Sequence, residues 1–292
     1  MASTDETAER PDFSASSALI VVMQRITSRQ NPIVARYRDS ARGRPSGSLL
    51  LDGAHLVSEA LAAGVAIRHV AVSSDALDRD DIRTIVDTIS GRGIEVAAAS
   101  TAVMQAISPV RSSSPIVAIG ERPAADAARI YADNALVVIT ADVQDPGNVG
   151  AIVRVAEAGG ASGLVAAGST ANPFGWKALR GSMGSALRLP VALDPAADHA
   201  AADARRHGCR LVAMVARGGE PHGEADLRGR IAILVGGEGP GIAPSLVDTA
   251  DVRVTIPMER PVESLNAAVA AAVLIYEARR QRMMGGAAGA GG

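Results

Sequence analysis

From Ser48 onward, short apolar runs alternate with segments whose apolar residues recur every three or four positions. LLLDG (Leu49–Gly53), IRHVAVSS (Ile67–Ser74), IEVAAAS (Ile94–Ser100) and IVAIGE (Ile116–Glu121) read as strands. Between them His55–Ala63, Asp80–Ser90 and a segment from Val103 to Ile107 read as helices, the first two ended by Gly64 and Gly91. A second series starts at Ala135. LVVIT (Leu136–Thr140), SGLVAAG (Ser162–Gly168), LPVALD (Leu189–Asp194), RLVAMVA (Arg210–Ala216), RIAILVG (Arg230–Gly236) and VRVTIPM (Val252–Met258) are near-continuous apolar runs, the mark of strands buried on both faces. Helices are expected over Val149–Ala158, Asn172–Arg180, Pro195–His207, Ser245–Thr249 and Ser264–Arg282. The alternation predicts an α/β protein of two units: a smaller α/β domain over residues 23–122, a linker over 123–134 and a parallel-sheet α/β domain over 135–283. Residues 1–22 are polar and 284–292 are rich in Gly and Ala, and both read as disordered tails.

Three loops of the second unit follow strands. In a parallel sheet, the carboxyl ends of the strands form the ligand crevice. IPMERPVESLN (Ile256–Asn266) is stiffened by Pro257 and Pro261, and Ser264 stands where the last helix would be capped. The simpler reading is a proline turn and a capping serine. DPGNVGAIVRVAEAGG (Asp145–Gly160) opens a helix whose buried stripe is Val149, Ile152, Val153 and Ala156, with Asn148 able to cap it. Gly147, Gly150 and Ala151 leave the side near Arg154 bare of bulk, with room for something large. The alternative is that Arg154 merely pairs with Glu157 on the helix surface. VGGEGPGI (Val235–Ile242) sets four glycines around Glu238 at a strand end, letting backbone approach a ligand closely. A carboxylate there repels pyrophosphate and suits a cationic or neutral ligand. An ordinary glycine-rich turn is the alternative.

Composition narrows the field. Aromatic residues are 2% of the chain, so the cores are aliphatic. A formal net charge of −2 argues against a polyanion-binding surface over the whole molecule and leaves room for a local basic patch. The densest positive run is Arg25–Arg44, with six arginines against the single acid Asp39, and Asn31-Pro32 reads as a helix start inside it. Either it contacts nucleic-acid phosphates, or it is a solvated basic helix. Arg111 sits in a polar loop, SPVRSSSP (Ser108–Pro115). Lys177 is the only lysine, a sign of GC-rich coding that weakens any argument from arginine number. Cys209 is the only cysteine and the five histidines are scattered, so no disulfide framework or metal site is expected. No apolar run has membrane-spanning length, and a reduced, cytoplasmic setting is expected. A dinucleotide fold needs its glycines between a strand and the following helix. Here Gly159-Gly160 comes after the helix, and no phosphate-loop motif occurs.

Taken together, N-x-G-x-x-x-R (Asn148, Gly150, Arg154), G-x-E-G-x-G (Gly236 to Gly241), and IPM followed by SLN (Ile256–Met258, Ser264–Asn266) resemble the three motifs of the SpoU/TrmH family of RNA ribose 2′-O-methyltransferases, of the SPOUT superfamily. The likeness covers roughly Ala135 to Arg282. ITSRQNP and LLLDGAHLVSEAL, upstream, resemble the ribosomal-protein-like RNA-binding domain that many such enzymes carry. Glu259-Arg260-Pro261 departs from the smaller residues common in the third motif.

The resemblance implies a C-terminal trefoil knot, S-adenosylmethionine as cofactor, no metal, a homodimer with sites near the subunit interface, and an RNA substrate. Large-subunit (23S) rRNA is favoured, with tRNA as the alternative. It implies Arg154, Asn148, Glu238, Ser264 and Asn266 as catalytic residues, and Gly236, Gly237, Gly239, Ile256, Met258, Ser264 and Leu265 around the cofactor. Arg25, Arg29, Arg36, Arg38 and Arg111 are the candidate RNA contacts. The family assigns Arg154's position to activating the ribose hydroxyl. A guanidinium is a poor base near neutral pH, so clamping a phosphate is the rival role. Two other classes stay open: a nucleotide-binding enzyme of Rossmann type, and an RNA-binding protein that has lost catalysis.

Overall fold

The computed structural model describes residues 23–239 and 241–289, with side chains through Met284. The expected tail over 1–22 lies outside the described residues, as do residues 290–292.

The first unit holds β1 (Gln24–Ile26), α1 (Pro32–Ala41), β2 (Ser48–Asp52), α2 (Ala54–Ala62), β3 (Ile67–Ser73), α3 (Asp80–Gly91), β4 (Val96–Ala99), α4 (Thr101–Ile107) and β5 (Ile116–Glu121). Its sheet runs β1-β4-β3-β5-β2, with β5 antiparallel to both β2 and β3 and the other pairs parallel. α1 starts at the expected place: Asn31 Oδ1 accepts from the Ile33 amide at 3.0 Å and Pro32 needs no partner for its nitrogen. β1 was not foreseen, because three residues inside a basic run show no apolar alternation. Ile26, Tyr37, Leu50, Val103 and Met104 pack together on the α1/α4 face. Tyr37 brings a hydroxyl into this apolar layer, where it meets His69 Nδ1 at 2.7 Å. Burial holds the phenol well above its usual range and the imidazole below its own, so the pair stays neutral.

The second unit holds α5 (Ala127–Ile130), β6 (Leu136–Ala141), α6 (Pro146–Ala158), β7 (Gly163–Ala167), α7 (Trp176–Ser182), α8 (Ser185–Arg188), β8 (Val191–Asp194) and α9 (Ala197–Arg206). β9 (Arg210–Met214), β10 (Glu220–Pro221), β11 (Ile231–Gly236), α10 (Pro244–Asp248), β12 (Val252–Thr255) and α11 (Ala267–Gly289) complete it. The sheet order is β10-β12-β9-β11-β6-β7-β8, and every pair is parallel. Alternate residues of each strand face opposite layers. Val138, Leu164, Val212 and Ile233 face α6, α7, α8 and α11; Val137, Val165, Leu211 and Leu234 face α5, α9 and α10. Each such aliphatic side chain, fully buried, contributes about 1.5–3 kcal/mol, so a core with almost no aromatics suffices.

Several boundaries differ from the sequence expectation. The linker contains α5, capped by Asp126, and Ile130 and Tyr131 join the core. The helix expected over Asn172–Arg180 is α7, starting at Trp176 and running to Ser182, and an unforeseen α8 follows it after Met183 and Gly184 take positive φ. α11 continues to Gly289 through the first part of the expected Gly/Ala tail. Among the described residues no helix is long and apolar enough to cross a membrane.

The two units share one apolar cluster, in which Leu51, Val57 and Ile82 of the first join Val153, Leu179 and Leu187 of the second. Charges reinforce the seam. Arg188 pairs with Glu59 across it and with Glu157 at 2.8 Å; Arg180 stands 3.7 Å from the buried carboxylate of Asp52, which also accepts from the Ser108 hydroxyl. Within the second unit, α6 crosses α7 with no side chain between them. A Cβ at Gly150 would stand 2.5 Å from the Ala178 carbonyl oxygen and 3.0 Å from Gly181 Cα. Gly150→Val is therefore expected to force the helices apart and destabilise the protein by about 1–3 kcal/mol or more, read as a lowered midpoint in chemical denaturation. An unchanged midpoint would mean that the crossing is not tight.

Candidate active site at the carboxyl edge of the parallel sheet

β6 is buried along its whole length and delivers the chain to the edge at Asp142. Asp145, and not Asn148, caps α6: its Oδ1 accepts from the Asn148 amide at 2.8 Å. The first-turn side chain of Asn148 is thereby free to point outward, and its amide donates a hydrogen bond to Glu238 Oε1. Asn266 completes the group. Its Nδ2 donates to Asn148 Oδ1 at 2.9 Å and lies 3.4 Å from Glu238 Oε1. Its Oδ1 accepts from the Ala268 and Val269 amides, so Asn266, and not Ser264, caps α11. The helix begins three residues later than expected because the asparagine outcompetes the serine for that role.

Beside this trio lies a cleft of about 270 Å³. All seven residues assigned from sequence to the cofactor line it: Gly236, Gly237, Gly239, Ile256, Met258, Ser264 and Leu265. Glu238 stands among them, and Val235, Val254 and Ala270 add apolar wall. Sequence reasoning missed Met214, Val215 and Ala216, which also line it. The signal was present: they end a strand of the same parallel sheet, next to β11.

The glycines serve two purposes. A Cβ at Gly236 would meet Gly241 backbone carbon at 2.4 Å, and one at Gly237 would meet the Asp142 carbonyl oxygen at 2.2 Å. These two glycines let the loop fold against itself and against the loop after β6. Gly239 differs: its φ is +94° and no atom lies within 4 Å of a Cβ built there, so it leaves the cleft side open. Gly236 thus lines the cleft with its backbone while the space of a side chain there is taken by the Gly241–Ile242 backbone.

Arg154 is not brought to this group. It is exposed on α6, outside the cleft lining, with no ion pair or side-chain hydrogen bond among the described residues. The expected surface pair with Glu157 is not formed, since Glu157 holds Arg188. The bare side expected beside Arg154 is filled at Gly150 by the backbone of α7 around Gly181, and at Gly147 by the Asp145 carboxylate. Arg25, Arg29, Arg36, Arg38 and Arg111 are all exposed, but they lie on β1, a turn, α1 and the loop after α4. Arg38 is engaged within the protein, donating to the Ala106 carbonyl at 3.1 Å.

Asn266→Ala removes the α11 cap and one amide from Glu238 together. It should cost about 0.5–2 kcal/mol of stability, measured by thermal melting. Asn266→Asp keeps the cap acceptor and should recover much of that loss, while setting a second carboxylate against Glu238. Equal loss in both variants would show that capping is not the source.

Residues 135–276 match the model of the SpoU rRNA Methylase family. The 23S rRNA (guanosine(2553)-2'-O)-methyltransferase RlmP of Bacillus subtilis is 29% identical over 80% of this chain and 89% of its own length. The 23S rRNA (uridine(2479)-2'-O)-methyltransferase of Streptomyces viridochromogenes is 31% identical over 82% of this chain and 85% of its own. Among solved structures, the SpoU methyltransferase AviRb from Streptomyces viridochromogenes, in complex with the cofactor AdoMet, superposes with a TM-score of 0.79 at 28% identity, covering 87% of this chain and 99% of that one. With its three motif loops gathered at one sheet edge and relatives matched over most of both lengths, the chain belongs to the SpoU rRNA methylase family.

Proposed function

We propose that this chain is an S-adenosylmethionine-dependent RNA ribose 2′-O-methyltransferase acting on large-subunit rRNA in the cytoplasm. The observation that carries it is the cleft walled by the second and third motif loops, to which Asn148 of the first is joined through Glu238, in a chain related to 23S rRNA 2′-O-methyltransferases.

The site fits the cofactor. Val235, Val254, Ile256 and Leu265 offer apolar walls to a purine and ribose, and the open side at Gly239 gives access to backbone groups. Glu238 supplies negative charge where a sulfonium and an ammonium would be attracted. When bound, the cofactor supplies an intrinsically reactive methyl on sulfur. The protein's contribution is then alignment of the ribose oxygen and stabilisation of the charge that develops as the hydroxyl loses its proton. Asn148 and Asn266 hold the Glu238 carboxylate still. Arg154, without an ion pair or side-chain hydrogen bond among the described residues, clamps an RNA phosphate and lowers the cost of the alkoxide.

The homodimer belongs to this proposal. Val269, Tyr276 and Met283 of α11 are exposed at seven-residue intervals and form one apolar stripe. α11 packs against α6, with Ile275 on Gly159 and Arg279 donating to the Ala158 carbonyl. A second copy on this surface would cover the stripe and bring another chain close to Arg154. The first unit, with its basic segment, is the RNA grip, and the trefoil knot is also part of the proposal. After β12, which pairs with β9, the chain must return past β9 and β11 to reach α6, and it does so beside the Gly236–Ile242 loop.

The direct test is mapping of ribose methylation on rRNA and tRNA from cells with and without the gene. One rRNA ribose should lose its methyl group; a loss confined to tRNA would overturn the substrate assignment. Arg154→Ala should lower methyl transfer by about 100-fold or more while cofactor affinity stays within a few-fold, and Arg154→Lys should not restore it. Near-normal turnover would remove Arg154 from the mechanism. Val269→Glu with Tyr276→Glu should convert a dimer to an inactive monomer in sedimentation. A wild-type monomer with full activity would defeat the dimer.

A further inference from the structure

A second cleft, of about 480 Å³, opens in the first unit, far from any motif loop. It is bounded by the end of α1, the turn Arg44–Ser48 and the end of β5. Four guanidiniums line it, from Arg36, Arg44, Arg68 and Arg122, against the carboxylates of Asp39 and Glu121. Their pairing is unequal. Arg68 is neutralised by Glu121 at 2.6 Å, and Asp39 leans toward Arg42 at 3.6 Å. Arg36, Arg44 and Arg122 have no ion pair or side-chain hydrogen bond among the described residues. Gathered around one concavity, these three differ from arginines that the fold itself engages. Arg230 and Arg282 cap backbone carbonyls, and Arg188 joins Glu59 and Glu157.

We infer that this cleft holds the sugar–phosphate backbone of the RNA, with Arg36, Arg44 and Arg122 each facing a phosphodiester; the inference rests on the RNA-methyltransferase reading above. Three unpaired guanidiniums around one concavity repel each other unless an anion sits between them. The concavity is open rather than closed, as a polymer needs. Gly47, with φ of +89° and no atom within 4 Å of a Cβ built there, leaves the turn able to approach a chain. The cleft also points toward the second unit. Arg122 lies over the Phe174 ring at 5.5 Å, and Phe174 is three residues beyond Ala171, whose amide donates to the Val143 carbonyl in the loop that leads to Asn148. A backbone seated on Arg122 is thereby directed to the carboxyl edge of the parallel sheet. Of the six arginines in the linear run singled out from sequence, only Arg36 and Arg44 line this surface.

The test uses the full chain and two probes, poly(U) without cofactor and protein-free 23S rRNA with it. Replacing Arg36, Arg44 and Arg122 by Gln should weaken poly(U) binding by about tenfold or more at low salt. It should also flatten the plot of log affinity against log salt by about two, three phosphate contacts at roughly 0.7 each on a single strand. The Arg→Lys triple should keep most of the slope, which separates lost charge from lost fold. On rRNA, the Gln triple should raise KM with kcat and cofactor affinity little changed. The cleft is overturned if the Gln triple falls on the wild-type line, and equally if replacing Arg25, Arg29 and Arg111 carries the loss instead. Failure of the enzymatic reading would be seen separately, as wild-type protein that grips poly(U) yet transfers no methyl to any RNA.

Discussion

Everything at the carboxyl edge depends on one oxygen atom. Glu238 Oε1 is approached by the side-chain amides of Asn148 and Asn266, which are separated from it in sequence by 90 and 28 residues. The contact is possible because β11 lies beside β6 and because α11, after leaving the far side of the sheet at β12, returns to pack on α6. Each asparagine is itself fixed by a helix start. Asp145 caps α6 and releases the Asn148 side chain, while Asn266 spends its carbonyl on α11 and keeps its NH₂ for the trio. Two caps and a sheet order thus place three polar groups within hydrogen-bonding distance. The apolar cleft opens on the Glu238 side of them.

Much of this was legible in the chain because a parallel sheet announces itself. Apolar runs such as LVVIT and RIAILVG have few other uses, and once they are strands the loops following them share an edge. What was not legible has physical reasons. Asp145, Asn148, Ser264 and Asn266 are all good capping residues, and the chain does not reveal which side chain turns back onto its own helix. Gly150 reads as room for something large beside Arg154, but small residues equally mark places where two stretches of backbone touch, and that is its use here. β1 and β10 are too short to show any alternation. The basic run Arg25–Arg44 could be seen as charge but not as a surface, because the residues that complete its cleft, Arg68 and Arg122, come from β3 and the end of β5.

The seam between the units is built to hold a distance. A flexible tether would let the first unit wander, and the gain from tying an RNA grip to a catalytic edge would fall with the volume explored. Instead the units share an apolar cluster, and a buried carboxylate, Asp52, looks across to Arg180. Arg188 holds Glu59 of one unit and Glu157 of α6 in the other. Exposed pairs of this kind add little energy, but here they stand at the rim of an apolar contact that already fixes the separation. Helix α6 is thereby tied to the first unit through Glu157, on the turn that carries Arg154.

Charge then orients the substrate. The trio is two neutral amides and one carboxylate, so the catalytic edge is negative where it meets a polyanion. At about 7 Å in water-like surroundings a carboxylate and a phosphate repel by only about 0.6 kcal/mol, but the cost rises several-fold as the approaching RNA displaces water. The phosphates of a bound strand are therefore pushed away from Glu238. The sugar edge, which carries no charge, is the part of the strand that can enter. On the reading proposed above, Arg154 and the guanidiniums that line the first unit's cleft would draw the phosphates in the other direction. A site that must reach a ribose hydroxyl on a chain of phosphates needs this separation. Repulsion at the catalytic edge and attraction to either side of it present the 2′-oxygen without any contact to a base.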